Sequence, residues 1–169
     1  MLKRFYPDCY VKSIYDIDLN DLKADGIKGL ILDLDNTIIA RNSSIAPAEL
    51  RNWVKKLYKA GFKACIVSNN WKTRVSSIAS QVELPLVARA AKPRTGAFKR
   101  AMYVLGTDRS ETAVIGDQVF TDVFGGNLAG LYTVLVVPMS NHEAFHTKIL
   151  RRFEKRIMKR WLSMNGKHR

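Results

Sequence analysis

The order of apolar runs and amphipathic stretches along the chain predicts a parallel β-sheet covered by helices. The apolar runs predict strands over 29–34, 62–67, 86–88, 112–115 and 132–137. The amphipathic stretches between them predict helices over 47–60, 71–82, 93–106 and 119–128. Strands that alternate with helices pair in parallel and are buried on both faces, which explains their continuous apolar runs. The sequence therefore predicts a doubly wound α/β domain with a mostly parallel sheet.

Polar residues follow the predicted strands at the points where the strands end. In open parallel sheets, ligands bind beyond the carboxyl ends of the strands, so these residues are expected to lie around one site. They are Asp33 and Asp35 after the first strand, Ser68, Asn69 and Asn70 after the second, Lys92 after the third, and Asp117 and Asp122 after the fourth. The predicted site thus combines carboxylates, a hydroxyl group and an ammonium group.

This set of side chains suits the hydrolysis of a phosphate ester. Such an ester carries about two negative charges and repels an attacking carboxylate unless a cation lies between them. Asp33, Asp35 and Asp117 offer the hard oxygen ligands that Mg²⁺ prefers. Lys92 and Ser68, with Asn69 beside them, are the predicted phosphate-binding residues. Phosphoryl transfer is mostly positioning and charge neutralisation, so little else is needed.

The two-residue spacing of Asp33 and Asp35 suggests a division of labour. Residues i and i+2 of an extended chain point to the same side, so both carboxyl groups can approach one phosphorus atom. We expect Asp33 to attack the phosphorus and Asp35 to protonate the leaving oxygen. Asp35 would then act as the base that hydrolyses the aspartyl-phosphate intermediate.

Four motifs resemble those of the haloacid-dehalogenase (HAD) superfamily of phosphatases. In chain order they are Asp33-Leu34-Asp35-Asn36-Thr37, Val67-Ser68-Asn69, Lys92-Pro93 and Gly116-Asp117 with Asp122. The resemblance covers residues 29–138 and implies that Asp33 is the nucleophile and Asp35 the acid/base. It also implies a Mg²⁺ ion bound by Asp33, Asp117 and the backbone carbonyl of Asp35, with Asp122 supporting these ligands.

A narrower resemblance is to the YqeG-like group of HAD subfamily IIIA. It rests on Asp35-Asn36-Thr37, Ser68-Asn69-Asn70 and Gly116-Asp117-Gln118 followed by Gly125-Gly126-Asn127. That group is similar to phosphatidylglycerophosphate phosphatases of mitochondria and plastids, which implies a role in phospholipid metabolism. The short separations between Asp33, Ser68 and Lys92 leave no room for a cap domain, so the predicted site is open.

Charge is concentrated at the end of the chain. The whole sequence has a net charge of +13, and residues 148–169 carry nine basic residues and one acid. Residues 1–140 are predicted to form the phosphatase domain and 141–169 a basic amphipathic helix and tail. Such a helix is typical of contact with an anionic membrane surface, here through 148–162. No apolar run reaches the roughly 18 residues of a membrane span.

The two cysteines, Cys9 and Cys65, have no metal-binding or redox spacing. We interpret both as reduced, so the expected compartment is the cytoplasm. The basic helix adds an expected peripheral location on the inner face of the membrane. The oligomeric state stays open. The segment His142-Glu143-Ala144-Phe145-His146 matches a zinc-protease pattern, which we interpret as chance.

Several alternatives remain open from the sequence. The substrate of a phosphatase could instead be a phosphoprotein, a nucleic acid or a small phosphorylated metabolite. A non-enzymatic phosphoacceptor domain of receiver type also uses acids, a hydroxyl and a lysine on a parallel sheet, but there the metal-binding acids come first in the chain. A nucleic-acid-binding module would explain the charge, yet no binding motif with interleaved aromatic residues accompanies it.

Overall fold

The computed structural model describes residues 2–140 and 145–165 and contains one six-stranded sheet. The strands are β1 (Cys9–Val11), β2 (Gly29–Leu32), β3 (Lys63–Val67), β4 (Leu86–Val87), β5 (Thr112–Gly116) and β6 (Tyr132–Val136). All neighbours pair in parallel, in the order β1-β6-β5-β2-β3-β4. The sheet confirms the predicted α/β class.

Helices cover both faces of this sheet. They are α1 (Leu19–Ala24), α2 (Ala48–Lys59), α3 (Lys72–Val82), α4 (Gly96–Leu105), α5 (Phe124–Ala129) and α6 (Phe145–Asn165). A π-helical turn over Val119–Val123 leads into α5. Alternate residues of a strand point to opposite faces. On β2, Leu30 and Leu32 therefore pack with α2 and α3, and Ile31 packs with Phe98 of α4.

Three parts of the fold differ from the sequence prediction. Residues 1–27, which carry no recognisable motif, supply the edge strand β1 and the short helix α1. Helix α4 begins at Gly96 rather than Pro93 because residues 93–95 form a turn, in which the Arg94 N–H donates to the Ala91 carbonyl. The predicted helix over 119–128 is π-helical in its first turn, which changes where its acidic residue points.

Helix α6 packs on the sheet domain through part of its apolar face. Trp161 is buried and makes an edge-to-face contact with Tyr10, with ring centroids 6.4 Å apart. Ile157 and Met158 pack against Val119, Val123 and Leu135. Residues 141–144, which include part of the zinc-protease-like pattern, lie outside the described residues. Among the described helices, none is long and apolar enough to cross a membrane.

Candidate active site

The parallel register places the predicted site residues side by side. Leu32, the last residue of β2, is paired with Ile66 on β3 and Ile115 on β5. Asp33 follows directly, and its N–H donates to the Ile115 carbonyl at 2.9 Å. Ser68 and Asp117 begin the loops of the two neighbouring strands. The three side chains therefore leave the same edge of the sheet next to one another.

Asp33 is buried and held by two side-chain donors. Its Oδ1 accepts from the Lys92 ammonium at 2.6 Å, and its Oδ2 accepts from the Thr37 hydroxyl at 3.0 Å. Burial raises the pKa of Asp33 to about 6, the charge of Lys92 opposes this rise, and the charge of Asp122 adds to it. The carboxyl group is thus fixed in direction, and its ionisation depends on the cations around it.

Lys92 joins two of the buried carboxylates. Its ammonium group donates to Asp33 and to Asp122, both at 2.6 Å. Burial lowers the pKa of Lys92, but the charges and hydrogen bonds of Asp122 and Asp33 outweigh this, and its pKa lies above its ordinary value. Lys92 is therefore a permanent positive charge beside the Asp33 carboxylate.

The buried carboxylates fit a divalent cation. Oxygen atoms of Asp33, Asp117 and Asp122 lie within 4.8 Å of one another, and all three residues are buried. Lys92 brings one positive charge to three carboxylates, and burying uncompensated charge is costly. A hard cation such as Mg²⁺ suits this set of oxygen ligands.

Asp122 is occupied on both oxygens. Its Oδ1 accepts from Lys92, and its Oδ2 accepts from the Gln118 N–H at 3.2 Å and the Thr121 hydroxyl at 3.3 Å. The π-helical turn brings it back over the end of β5, against Gly116. These contacts favour the supporting role expected for Asp122 over direct metal binding.

Asp35 lies at the mouth of the site and is partly exposed. It forms an ion pair with the Arg74 guanidinium, and its Oδ2 accepts from the Asn70 amide at 3.1 Å. Arg74 also donates to the backbone carbonyls of Arg41 and Ser43. Arg74 therefore fixes both Asp35 and the loop that follows β2.

Ser68 and Asn69 hold different positions in the site. Ser68 is buried, and its hydroxyl accepts from the Asn70 N–H at 3.1 Å. The Asn69 amide bonds the backbone of Lys92 twice, accepting from its N–H at 2.7 Å and donating to its carbonyl at 3.2 Å. Phosphate binding by Asn69 stays a prediction, and these bonds support a role in positioning Lys92.

Arg74 contributes to the site although no sequence pattern predicted a role for it, whereas Asn70 was expected around the site and Asn36 belongs to the first motif. Asn36 has a φ of +63°, and its Oδ1 accepts from the Ser140 hydroxyl at 2.8 Å, which ties the first loop to the end of β6. Arg74 lies in the first turn of α3, where an arginine has no special signal in a single basic sequence.

The site opens as a small polar cleft of about 290 Å³. Its walls are formed by Asp33, Asp35, Asn36, Arg41, Ser68, Asn69, Asn70, Lys92, Gln118 and Thr121. Helices α2 and α3 directly connect the strands around it, and residues 33–92 contain no inserted domain above it. A phosphate group fits the cleft, and the remainder of a large ester would lie outside.

Comparison with known proteins agrees with this geometry. The family described as HAD-hydrolase-like matches residues 89–142. The probable phosphatase YqeG of Bacillus subtilis (strain 168) is 40% identical over 94% of this chain and 92% of its own length. The chloroplastic/mitochondrial phosphatidylglycerophosphate phosphatase 1 of Arabidopsis thaliana is 29% identical over 92% of this chain, which spans 48% of that protein.

A solved structure shares the fold. The cobalt-bound deoxy-D-mannose-octulosonate 8-phosphate phosphatase of Haemophilus influenzae superposes with a TM-score of 0.54 at 16% identity, covering 81% of this chain and 90% of that one. Fold and site together define a phosphatase of the HAD superfamily. Within that class, the chain belongs to the YqeG-like phosphatase family. The enzymatic interpretation is thereby confirmed over the receiver-type and nucleic-acid-binding alternatives.

Proposed function

We propose that this phosphatase is a Mg²⁺-dependent phosphomonoester hydrolase that works through an aspartyl-phosphate on Asp33. The observation that carries the proposal is the Asp33 carboxylate itself, aligned by Lys92 and Thr37 at the carboxyl end of the central strand. A buried, oriented carboxylate beside a permanent cation is suited to attack on phosphorus.

The side chains divide the reaction between them. One Asp33 oxygen forms the new bond to phosphorus while the ester oxygen leaves and takes a proton from Asp35. Water then attacks the phosphorus, Asp35 accepts its proton, and the Asp33 carboxylate and inorganic phosphate are released. Lys92 and Ser68 hold the phosphate oxygens throughout both steps.

Asp33, Asp117 and the backbone carbonyl of Asp35 are the proposed metal ligands, with Asp122 holding Lys92 beside them. Bound Mg²⁺ would supply charge neutralisation of the phosphate oxygens. The excess of buried carboxylate over ammonium charge supports this assignment.

We propose an anionic phospholipid, phosphatidylglycerophosphate, as the substrate. Relatives with that activity in their names come from Arabidopsis thaliana, Chlamydomonas reinhardtii and Saccharomyces cerevisiae. The small uncapped cleft supports it too, because such a cleft can take up a terminal phosphate while the lipid stays outside.

Peripheral attachment through 148–162, on the cytoplasmic face of the membrane, is part of the same proposal. The exposed side of α6 carries Arg152, Lys155, Arg156, Lys159 and Arg160. Trp161, however, packs against the domain, so Phe153 and Met164 are the exposed large apolar side chains that the described part of α6 would bring to the membrane.

The test is phosphate release from phosphatidylglycerophosphate, a phosphopeptide and sugar phosphates, with Mg²⁺ or with a chelator. We expect the lipid to be the preferred substrate and turnover to require Mg²⁺. Asp33→Asn should lower kcat by at least about 10³-fold, since the nucleophile is lost. Turnover that survives Asp33→Asn would refute the mechanism, and a preference for the peptide or sugars would refute the substrate.

A further inference from the structure

Exposed apolar side chains surround the mouth of the active site. Trp71 is 67% exposed and Met139 46% exposed, and Val137 is also exposed. They belong to the segments that follow β3 and β6, at the edge of the sheet from which Asp33 projects, and the Met139 N–H donates to the carbonyl of Asn36 in the cleft wall. Several apolar side chains on one rim are unusual for a surface that meets only water.

Trp71 is joined to the wall of the site. Its backbone N–H donates to the Asn70 side chain at 2.9 Å, and the same side chain bonds Asp35. The Arg89 guanidinium lies over the indole ring, 4.1 Å from its centroid. Trp71 is therefore held outward beside the catalytic groups by defined contacts.

The charge of the rim is of one sign. Apart from Asp35, whose charge is paired with Arg74, the loop residues 36–47, 68–71, 88–95 and 137–140 contain four basic residues and no aspartate or glutamate. Lys92 lies inside the site, while Arg41, Arg89 and Arg94 are exposed around it. Exposed aromatic and aliphatic groups mixed with arginines match the headgroup region of an anionic bilayer.

We propose that this rim docks directly on the surface of an anionic phospholipid bilayer, with Trp71 and Met139 in the interface. Arg41, Arg89 and Arg94 contact headgroup phosphates, and the cleft faces the membrane. A lipid phosphate then reaches Asp33 without the lipid leaving the bilayer. The inference rests on the proposed phospholipid substrate and adds a docking surface distinct from α6.

The tryptophans of this chain make the contact measurable. The sequence has three, and Trp53 and Trp161 are buried in the fold. A change of emission on binding therefore reports mainly on Trp71. Tyr103 on α4 is 89% exposed and belongs to none of the rim segments, so Tyr103→Ala is a matched control.

The experiment adds vesicles rich in phosphatidylglycerol, or made of phosphatidylcholine alone, to the full chain in the presence of Mg²⁺. We expect a blue shift and protection from acrylamide quenching with the anionic vesicles only. In co-sedimentation, Trp71→Ala with Met139→Ser should bind these vesicles about tenfold or more weakly. Tyr103→Ala should bind like the unmodified chain.

Hydrolysis of soluble p-nitrophenyl phosphate should be unchanged in both variants, which shows that each is folded. Equal vesicle binding by the rim variant and the unmodified chain would overturn the inference, as would no binding by either. A dimer in vesicle-free sedimentation that the rim variant abolishes would assign the rim to a second copy and overturn it too. Failure to hydrolyse the lipid, with rim-dependent binding intact, would instead count against the proposed substrate.

Discussion

Burial and the charge of Lys92 act on the pKa of Asp33 in opposite directions. Burial raises its pKa to about 6, against the charge of Lys92. In the metal-free folded protein, Asp33 therefore keeps its proton to higher pH than in the unfolded chain. Stability should fall as pH rises from about 4 to about 6, by at most about 3 kcal/mol.

Thermal unfolding in chelator across this pH range measures the effect. Asp33→Asn, which cannot ionise, should remove that part of the pH dependence, and the difference between the two chains isolates Asp33. Added Mg²⁺ should raise the Tm more above pH 6 than below it, since protons and cations compete for the same carboxylate. A pH dependence shared by both chains would contradict the assignment.

Because Arg74 positions Asp35, the fall in kcat when Arg74 is removed should depend on the leaving group of the substrate. Arg74→Ala removes the ion pair and the bonds to the loop after β2. The glycerol oxygen of an alkyl phosphate ester is a poor leaving group that needs the proton of Asp35, whereas p-nitrophenolate leaves with little help. We expect kcat to fall by about tenfold or more for the alkyl ester and much less for the aryl ester.

A steady-state comparison of the two esters checks this prediction. Arg100→Ala, which removes an exposed helical arginine from α4, is the matched control and should leave both values unchanged. An equal fall for both esters would mean that Arg74 serves the general stability of the site rather than Asp35.

At the residue scale, the sequence predicted the groups that lie at strand ends. Asp33, Ser68 and Asp117 converge because the register of a parallel sheet aligns the residue after each strand, and Lys92 reaches Asp33 from the loop after β4. Arg74 escaped prediction because its contact with Asp35 spans 39 positions and depends on how α3 is oriented. Orientation of that kind is set by core packing, which no local pattern records.

At the scale of elements, the junction of β5 with the π-helical turn has no spare room. A Cβ added to Gly116 would lie 2.3 Å from Cγ of Asp122. Gly116→Ala should therefore push Asp122 away from Lys92 and destabilise the fold by about 1–3 kcal/mol. Activity should fall with it, because Lys92 loses one of its two carboxylate partners.

Gly96→Ala is a matched substitution that is expected to stabilise the fold rather than destabilise it. The nearest atom to its added Cβ is the Arg100 side chain at 3.8 Å, and the residue begins α4. Removing backbone freedom there should stabilise the fold by up to about 1 kcal/mol. Urea unfolding measures the free energy of unfolding of both variants. A similar stability for both would show that the space at Gly116 is not limiting.

The predicted elements succeeded where burial on both sides of the sheet leaves a long apolar run. The five predicted strands and the four helices between them are present, with shifts at their ends. Strand β1 has only three residues and pairs only with β6 among the described strands, so its apolar signal is too short to recognise. The short length of this edge strand, more than its composition, left no pattern that predicts a strand.

At the scale of the whole molecule, the segment around Phe5 and helix α6 both pack on the π-helical turn that carries Asp122. The Phe5 ring stacks on Phe124 with centroids 4.5 Å apart and meets Phe120 edge-on at 5.4 Å. Helix α6 packs on the same π-helical turn. A basic helix that seemed a separate tail therefore also supports the site.

Glu154 on α6 tests this coupling. It is buried, and its Oε1 accepts from the Phe120 N–H at 3.3 Å, between the two acids of the fourth motif. Glu154→Ala should destabilise the fold by about 1–3 kcal/mol through the lost acceptor, and Glu154→Gln should retain most of the stability. The half-saturating Mg²⁺ concentration should rise in the alanine variant because the loop that orients Asp117 loosens.

Lys155→Ala, on the exposed face, should change neither the stability nor the Mg²⁺ dependence. If Glu154→Ala weakened only vesicle binding and left unfolding and Mg²⁺ dependence intact, α6 would be a docking element rather than a support of the active site.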